Sequence, residues 1–185
     1  VNNACNWQCI YCEIPNLTRG TPPPIELELL EHELRSFLHE IIYGDYMEKN
    51  VSVEDRHLKD IAFSGNGEPT SAEEFPQVLL IVKKILQELD LLHKIKIRLI
   101  TNGSLMHQES VLKSIEMLEE INGEVWFKVD AATEETIKTI NQVNLKPNQI
   151  LERLLNTANI CPTFVQTCIF MINGKSPDDK DIDAY

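Results

Sequence analysis

The stretch Val1-Asn-Asn-Ala-Cys5-Asn-Trp-Gln-Cys9-Ile-Tyr-Cys12 carries three cysteines at the spacing C-x3-C-x2-C, and the next cysteine is Cys161. Thiolates are soft ligands that suit iron–sulfur clusters, zinc and copper(I). A closed structural zinc site takes four protein ligands, and an ordinary cubane cluster takes four cysteines. Three neighbouring thiols therefore favour a cubane in which one iron stays open to a ligand from outside the protein.

The remaining composition is typical of a globular domain, with 43% hydrophobic and 25% charged residues among 185. We expect a single domain over residues 1–185, trimmed at both ends, because a cysteine already stands at position 5 and the segment 178–185 has the pattern of a further helix. No apolar run approaches the roughly 20 residues of a membrane span. The net charge of −12 disfavours a general nucleic-acid binder, which depends on Lys and Arg. The odd total of five cysteines, three of them clustered, indicates a metal site in a reducing compartment, and we expect the cytoplasm.

Helical and strand patterns alternate along the chain. Apolar residues at steps of three and four predict helices over 25–42, 71–92 and 107–121, and 133–140 and 147–159 are also predicted as helical. Short apolar runs predict strands at 60–64, 95–100, 124–129 and 164–172, and residues 1–4 are interpreted as the end of an earlier strand. The segments 13–24 and 44–55 are predicted to be irregular. This alternation predicts the α/β class with a mainly parallel sheet.

Small, polar or thiol residues follow each of these strands. In chain order they are Cys5/Cys9/Cys12, Gly65-Asn-Gly-Glu-Pro69, Thr101-Asn-Gly-Ser104, Asp130 and Asn173-Gly174. Ligands bind at the carboxyl ends of the strands in parallel α/β sheets. Ordinary turns also contain Gly, Asn and Ser, so a single turn of this kind decides nothing. Together with three thiols, the set predicts a ligand site on that rim.

The turn after the first long strand has features of its own. Two glycines around Asn66 let the backbone approach a ligand closely, and Glu68 is an acceptor suited to a ligand ammonium group. The alternative role for Glu68 is a favourable negative charge at a helix start. Neither G-x-G-x-x-G nor G-x-x-x-x-G-K-[ST] occurs, so the Rossmann and P-loop modes of nucleotide binding are disfavoured.

The cysteine motif with Tyr11 before its third thiol, followed by a strand that ends in a Gly-Glu turn, resembles the radical S-adenosylmethionine (SAM) superfamily from Cys5 to about Gly174. The strings Phe63-Ser-Gly-Asn-Gly-Glu-Pro-Thr70, Leu99-Ile-Thr-Asn-Gly-Ser-Leu105 and Val165-Gln-Thr are similar to a group of iron–sulfur oxidoreductases related to the wybutosine-synthesis enzymes of tRNA. The resemblance implies a partial parallel (β/α) barrel. It also implies an enzyme that reductively cleaves SAM to a 5′-deoxyadenosyl radical, which abstracts hydrogen from an unknown substrate.

The same resemblance implies roles for single residues. Cys5, Cys9 and Cys12 would hold three irons of a 4Fe–4S cluster, and the methionine part of SAM would chelate the fourth. Tyr11 would pack near the adenine. Gly65, Asn66, Gly67 and Glu68 would form the turn that binds the methionine ammonium, with Asn66 in place of a glycine. Asn102, Ser104 and Asp130 would meet the ribose or the methionine carboxylate, and Asn173 and Gly174 would lie beside the adenine.

Partners and alternatives complete the expectations. Reductive cleavage needs a low-potential electron donor such as flavodoxin or ferredoxin. The substrate is open between tRNA, a peptide or protein, and a small molecule, with Arg19, Lys128 and Gln166 as candidate contacts. One alternative is a zinc-binding or interaction domain in which a histidine joins the three cysteines, although His32, the nearest, stands at no usual finger spacing. Another is a thiol redox protein that uses Cys9 and Cys12, without a thioredoxin-like pattern around them.

Overall fold

Six parallel-paired strands form two sheets in the computed structural model, which describes residues 3–185. A two-stranded sheet pairs β1 (Ala4–Cys5) with β2 (Thr18–Arg19). The four-stranded main sheet is built from β3 (Asp60–Phe63), β4 (Lys96–Thr101), β5 (Gly123–Lys128) and β6 (Thr163–Gln166), which lie side by side in chain order. All their pairings are parallel, so their carboxyl ends share one rim.

Helices supply the crossovers that parallel neighbours require. The helices are α1 (Leu27–Tyr43), α2 (Tyr46–Asn50), α3 (Phe75–Glu88), α4 (Glu109–Glu119), α5 (Glu134–Ile140), α6 (Pro147–Ala158) and α7 (Asp179–Ala184). Short 3₁₀ turns lie at Val53–Asp55 and Pro69–Ser71. α3 connects β3 to β4, α4 connects β4 to β5, and α5 with α6 connects β5 to β6. No helix among residues 3–185 is long and apolar enough to cross a bilayer.

The core lies between the main sheet and its helices. Ile97 and Leu99 of β4 are fully buried, whereas Arg98 between them is only half-buried, so the two faces of β4 differ in burial. α3 contributes the buried side chains Leu79, Val82, Ile85 and Leu86 at the helical spacing of its apolar face. Burying a side chain of this size is worth about 1.5–3 kcal/mol. This packing fixes β3, β4 and β5, and with them the rim that carries the polar residues.

The predicted α/β class with parallel sheets is confirmed, but some boundaries are wrong. α3 begins at Phe75 instead of residue 71, because Pro69–Ser71 forms a separate 3₁₀ turn, and it ends at Glu88, just before Asp90 takes a positive φ of 54°. α2 and β2 lie in segments predicted to be irregular. Of the strand proposed for residues 1–4, residues 1 and 2 lie outside the described part, and β1 is Ala4–Cys5.

The largest error concerns the last strand. β6 ends at Gln166 instead of residue 172, and the segment 167–171 has no strand partner. Asn173 and Gly174 therefore do not follow the end of a strand. They form an exposed turn closed by the bridge between Ile172 and Lys175.

Candidate functional site

The cysteine motif forms a short loop that starts in β1. Trp7 is 4% exposed and anchors the loop in the core, and its backbone N–H donates to Cys5 Sγ over 3.4 Å. Cys9 closes a turn, since its carbonyl accepts from the Cys12 N–H at 3.0 Å. Cys5 and Cys9 are half-buried, whereas Cys12 is exposed. Burial raises the pKa of the Cys5 and Cys9 thiols.

The end of α5 holds this loop in place. Ile140 and Asn141 accept backbone hydrogen bonds from Ile10 N–H at 2.8 Å and Gln8 N–H at 3.3 Å. The Asn141 side chain also donates from Nδ2 to Cys9 Sγ at 3.3 Å. The loop is therefore positioned by a part of the chain more than one hundred residues away.

A cavity of about 160 Å³ brings the three thiols together with the ends of β3 and β4. Its lining comprises Cys5, Trp7, Cys9, Tyr11, Cys12, Ile14, Leu17, Gly65, Gly67, Glu68, Ile100, Thr101, Asn102 and Lys128. Most of the surface is apolar, and the polar groups come from strand ends. A larger groove of about 520 Å³ runs along the first turns of α3 and α4, and no thiol lines it. The smaller cavity is the candidate site because, of the two, it is the one lined by the three cysteines that the sequence predicts as ligands.

The two glycines of the turn at residues 65–67 are required for different structural reasons. A Cβ on Gly67 would overlap the carbonyl oxygen of Ala4, so Gly67 lets the turn pack directly on β1. Gly65 has a φ of 130° and open space where a side chain would stand. Gly65 thus exposes backbone to the cavity, while Asn66 is half-buried and outside the cavity lining.

Glu68 joins the ends of β3 and β4. Its side chain is buried at 2% exposure, and Oε1 accepts from the Thr70 hydroxyl at 2.6 Å and the Thr101 hydroxyl at 2.6 Å. Oε2 accepts from the Asn102 N–H at 2.8 Å. Burial raises the pKa of Glu68, and these hydrogen bonds oppose that rise. Both oxygens already have protein donors, and the predicted bond to a ligand ammonium stays a prediction.

An asparagine pair connects the loop to the end of β4. Asn102 Nδ2 donates to Asn6 Oδ1 at 2.9 Å and lies 3.8 Å from Cys5 Sγ. Asn6 Nδ2 donates to the Ser104 hydroxyl at 2.6 Å. The predicted site residues Asn102 and Ser104 therefore lie together beside Cys5, with Asn102 on the cavity and Ser104 behind it.

Asp130 lies on the other side of the loop, with Tyr11. The Tyr11 hydroxyl donates to Asp130 Oδ2 at 2.5 Å, and burial together with this bond raises the pKa of Tyr11. Lys128 Nζ is 3.6 Å from Asp130 Oδ1 and 5.0 Å from the centre of the Tyr11 ring. The Phe170 ring packs edge-on against Tyr11 at 5.5 Å. Asp130 thus contacts two residues that line the cavity, Tyr11 and Lys128, and does not line it itself.

Sequence reasoning missed two residues, and four of the predicted site residues do not line the cavity, namely Asn66, Ser104, Asp130 and Asn173. Asn6 was missed although it adjoins Cys5, and that adjacency was its only signal. Asn141 follows a helix and no strand, so nothing in the local pattern singled it out. Asn173 lies in its exposed turn, outside the described cavity lining.

A single zinc ion and a cubane cluster require different spacings of the three thiols. Within residues 3–185, no three side chains of the types His, Cys, Asp and Glu converge closely enough to hold one metal ion. Sulfurs around one tetrahedral zinc are about 3.8 Å apart, since each Zn–S bond is about 2.3 Å. In a cubane each thiolate binds a different iron, so wider separation is required. All three thiols nevertheless share one cavity.

Comparison with known proteins gives the family. The model of the radical SAM superfamily matches residues 1–184. Among solved structures, SuiB of Streptococcus suis bound to precursor peptide SuiA matches 98% of the chain with a TM-score of 0.64 and 14% identity, and the match spans 33% of that chain. The cobalamin-dependent S-adenosylmethionine radical enzyme OxsB, with aqua-cobalamin and S-adenosylmethionine bound, matches 91% of the chain and 23% of its own, with a TM-score of 0.59 and 14% identity.

One curated protein that the chain resembles carries the name of a different protein class. The GTPase Obg of Brachyspira hyodysenteriae is 26% identical over 143 residues, which are 77% of this chain and 18% of that protein. The chain thus spans one third or less of the relatives described. The structural likenesses show the fold, and the family model spans nearly the whole chain, with the three cysteines inside it. The chain therefore belongs to the radical SAM superfamily.

Proposed function

We propose that the chain binds a 4Fe–4S cluster through Cys5, Cys9 and Cys12 and holds SAM beside it for radical chemistry. The observation that carries this proposal is the shared cavity, which joins all three thiols to the ends of β3 and β4. When bound, the cluster and SAM would supply a 5′-deoxyadenosyl radical for hydrogen abstraction from a substrate. The chain's own residues bind, orient and shield this pair.

The backbone and polar side chains provide the binding groups. Gly65 exposes main-chain atoms to the cavity, and the Asn102 amide lies 3.8 Å from Cys5 Sγ. Lys128 brings a positive charge to the wall, which suits a carboxylate. Methionine carries both a carboxylate and an ammonium group, so a wall with a cation and exposed main-chain atoms complements it.

Apolar residues limit water in the same cavity. Trp7, Ile14, Leu17 and Ile100 line it, and Trp7 is almost fully buried. A water-excluding wall protects a reactive species from side reactions. Tyr11 adds an aromatic face, held in place by its hydrogen bond to Asp130, and we assign it to the adenine.

The finer assignments are part of the same proposal. Three sequence strings resemble the iron–sulfur oxidoreductases related to wybutosine synthesis, which favours tRNA among the substrate classes left open, whereas the net charge of −12 argues against it. The electron donor would be a low-potential protein such as flavodoxin or ferredoxin. Ile10, 43% exposed beside the half-buried Cys9, gives such a donor an apolar approach to the cysteine loop.

Cluster binding is tested by anaerobic reconstitution of the wild type and of Cys5→Ala, Cys9→Ala and Cys12→Ala. We expect near-stoichiometric iron and sulfide in the wild type and a several-fold loss in each variant. Cys168→Ala is the matched control, because Cys168 is a free half-buried cysteine outside the cavity lining.

SAM binding is tested on the same samples. We expect the EPR signal of the reduced wild-type cluster to change when SAM is added. Zinc without iron or sulfide, or a spectrum that excess SAM leaves unchanged, would overturn the proposed function.

A further inference from the structure

Asn141 connects Cys9 to Asp130 through one nitrogen atom. The residue is 1% exposed and caps the carboxyl end of α5. Its Nδ2 donates to Cys9 Sγ at 3.3 Å and to Asp130 Oδ2 at 2.8 Å. An amide NH₂ group has two hydrogens, so both bonds are satisfied at once.

The Asp130 contact fixes which way the amide faces. If the side chain of Asn141 were turned by half a revolution, its oxygen would face the Asp130 carboxylate, and two acceptors would repel each other. The carboxylate therefore keeps the nitrogen, and with it an N–H, directed at Cys9. Asp130 is itself held by the Tyr11 hydroxyl and by the Cys168 N–H at 3.1 Å.

The backbone of the same segment brackets Cys9. The residues directly before and after it, Gln8 and Ile10, donate their N–H groups to Asn141 and Ile140. By contrast, the amide contact to Cys5 from Asn102 is longer, at 3.8 Å, and Cys12 is exposed. Cys5 Sγ also accepts from the Trp7 N–H at 3.4 Å, a donor from within the cysteine loop. Cys9 thus has the shortest side-chain contact to a thiol of the loop, and that contact comes from a distant part of the chain.

We propose that Asn141 is a positioning residue for Cys9, which it orients as a cluster ligand while its N–H···S bond raises the reduction potential of the cluster. This inference rests on the proposed function. Reduction adds negative charge to the cluster and its sulfurs, so a donor to a ligand sulfur stabilises the reduced state more than the oxidised one. In other metal sites, residues that hydrogen-bond to the metal ligands likewise fix the orientation of those ligands and tune the metal.

The test compares Asn141→Leu and Asn141→Ala with the wild type. Leucine has a similar volume but no donor, and alanine covers the case in which leucine does not fit. Thr157→Val is the control, because Thr157 is fully buried and its hydroxyl bonds only within α6, to Arg153 O. Each protein is assayed for iron and sulfide, for its midpoint potential by EPR-monitored titration, and, without cluster, for amide hydrogen exchange over residues 8–12.

We expect lower midpoint potentials in both Asn141 variants, on the scale of a tenfold change in the reduction equilibrium, which is about 59 mV for one electron. We also expect exchange over residues 8–12 to become at least threefold faster, while Thr157→Val matches the wild type in both readouts. Full cluster loading with an unchanged potential would overturn the inference. If the variants hold no cluster, faster exchange supports the positioning role and unchanged exchange overturns it. A wild type without iron would refute the proposed function instead, and exchange would still decide the role of Asn141.

Discussion

Gly67 leaves no room for a side chain at the turn after β3. A Cβ there would overlap the Ala4 carbonyl oxygen, and neither backbone can move without shifting β1 away from the turn. We therefore expect Gly67→Ala to cost about 1–3 kcal/mol of unfolding free energy. The same shift displaces Cys5, so iron content after reconstitution should fall several-fold.

Gly174→Ala is the matched control for that substitution. Gly174 has a φ of 76° but open space around its Cα, so the change costs about 1–2 kcal/mol of backbone strain and touches no site residue. Thermal unfolding and iron analysis on both variants separate the effects. Equal iron content in Gly67→Ala and Gly174→Ala would contradict the role given to Gly67.

Single residues differ in how far sequence reasoning could single them out. The three cysteines and Glu68 were singled out because their chemistry is unusual for a turn, and the structure brings all four to one cavity. Asn6 and Asn141 were not, because asparagine is common in turns and their contacts span 98 and 132 residues of sequence. A contact of that kind has no local pattern.

At the scale of elements, an ion-pair network joins β3, β4 and β5. Arg98 donates to Glu124 Oε1 from Nε at 2.6 Å and to Asp60 from Nη1. Trp126 Nε1 donates to the same Glu124 oxygen at 3.0 Å. Burial alone would raise the pKa of Glu124, but the bonds from Arg98 and Trp126 outweigh it and hold that pKa below its usual value.

Removing the arginine should therefore weaken the sheet in a pH-dependent way. We expect Arg98→Met to lower the unfolding free energy by about 1–3 kcal/mol at neutral pH, since Glu124 is left with one donor fewer. A lowered carboxyl pKa contributes stability above its unfolded value of about 4.3, and that contribution disappears as the pH falls through the folded value. The difference between variant and wild type should shrink in acid.

Urea unfolding at several pH values measures this difference. Lys113→Met is the control, because Lys113 pairs only with the exposed Glu109 on the surface of α4, and such pairs are worth at most about 1 kcal/mol. A cost for Arg98→Met that stays constant down to about pH 3, well below the ordinary carboxyl pKa, would contradict the account of Glu124.

The ends of helices and strands depend on interactions that cannot be read from the periodicity of apolar residues in the sequence. The apolar pattern of α3 runs on to residue 92, yet Asp90 leaves helical geometry and Leu91 N–H bonds back to the Leu86 carbonyl. The run 164–172 looks like one strand, yet only Thr163–Gln166 pairs with β5. The prediction of Asn173 as a site residue rested on a strand end at residue 172, and β6 ends at Gln166 instead.

At the scale of the whole molecule, β6 is an edge of the main sheet within residues 3–185. Phe164 and Val165 are 54% and 48% exposed there, although consecutive strand residues point to opposite faces. An exposed apolar edge strand invites pairing with another chain. We expect self-association at high concentration, and Val165→Lys should reduce it at least threefold in sedimentation velocity.

Leu151→Lys gives the comparison for that change. Leu151 is equally apolar and 55% exposed, but it lies on α6, where no backbone groups are open for pairing. This variant should associate like the wild type. If Val165→Lys and Leu151→Lys associate equally, self-association is driven by exposed apolar surface in general and does not depend on the strand edge.

Overall architecture was more predictable than fine geometry. Alternating strand and helix patterns imply a parallel sheet, and a parallel sheet places its strand ends on one rim, so the position of the site followed from topology. The two-stranded sheet of β1 and β2 did not follow, because four residues carry too little pattern. The anchoring of the cysteine loop on α5 likewise depends on the finished fold.

That anchoring has a consequence for biosynthesis. A chain emerging from the ribosome presents Cys5, Cys9 and Cys12 early, but the groups that bracket Cys9 come from Ile140 and Asn141. Until Ile140 and Asn141 have been synthesised, the cysteine loop lacks the hydrogen bonds that hold it in place. Under the proposed function, cluster insertion would therefore be a late step in maturation, and the nascent thiols would depend on reducing surroundings until it occurs.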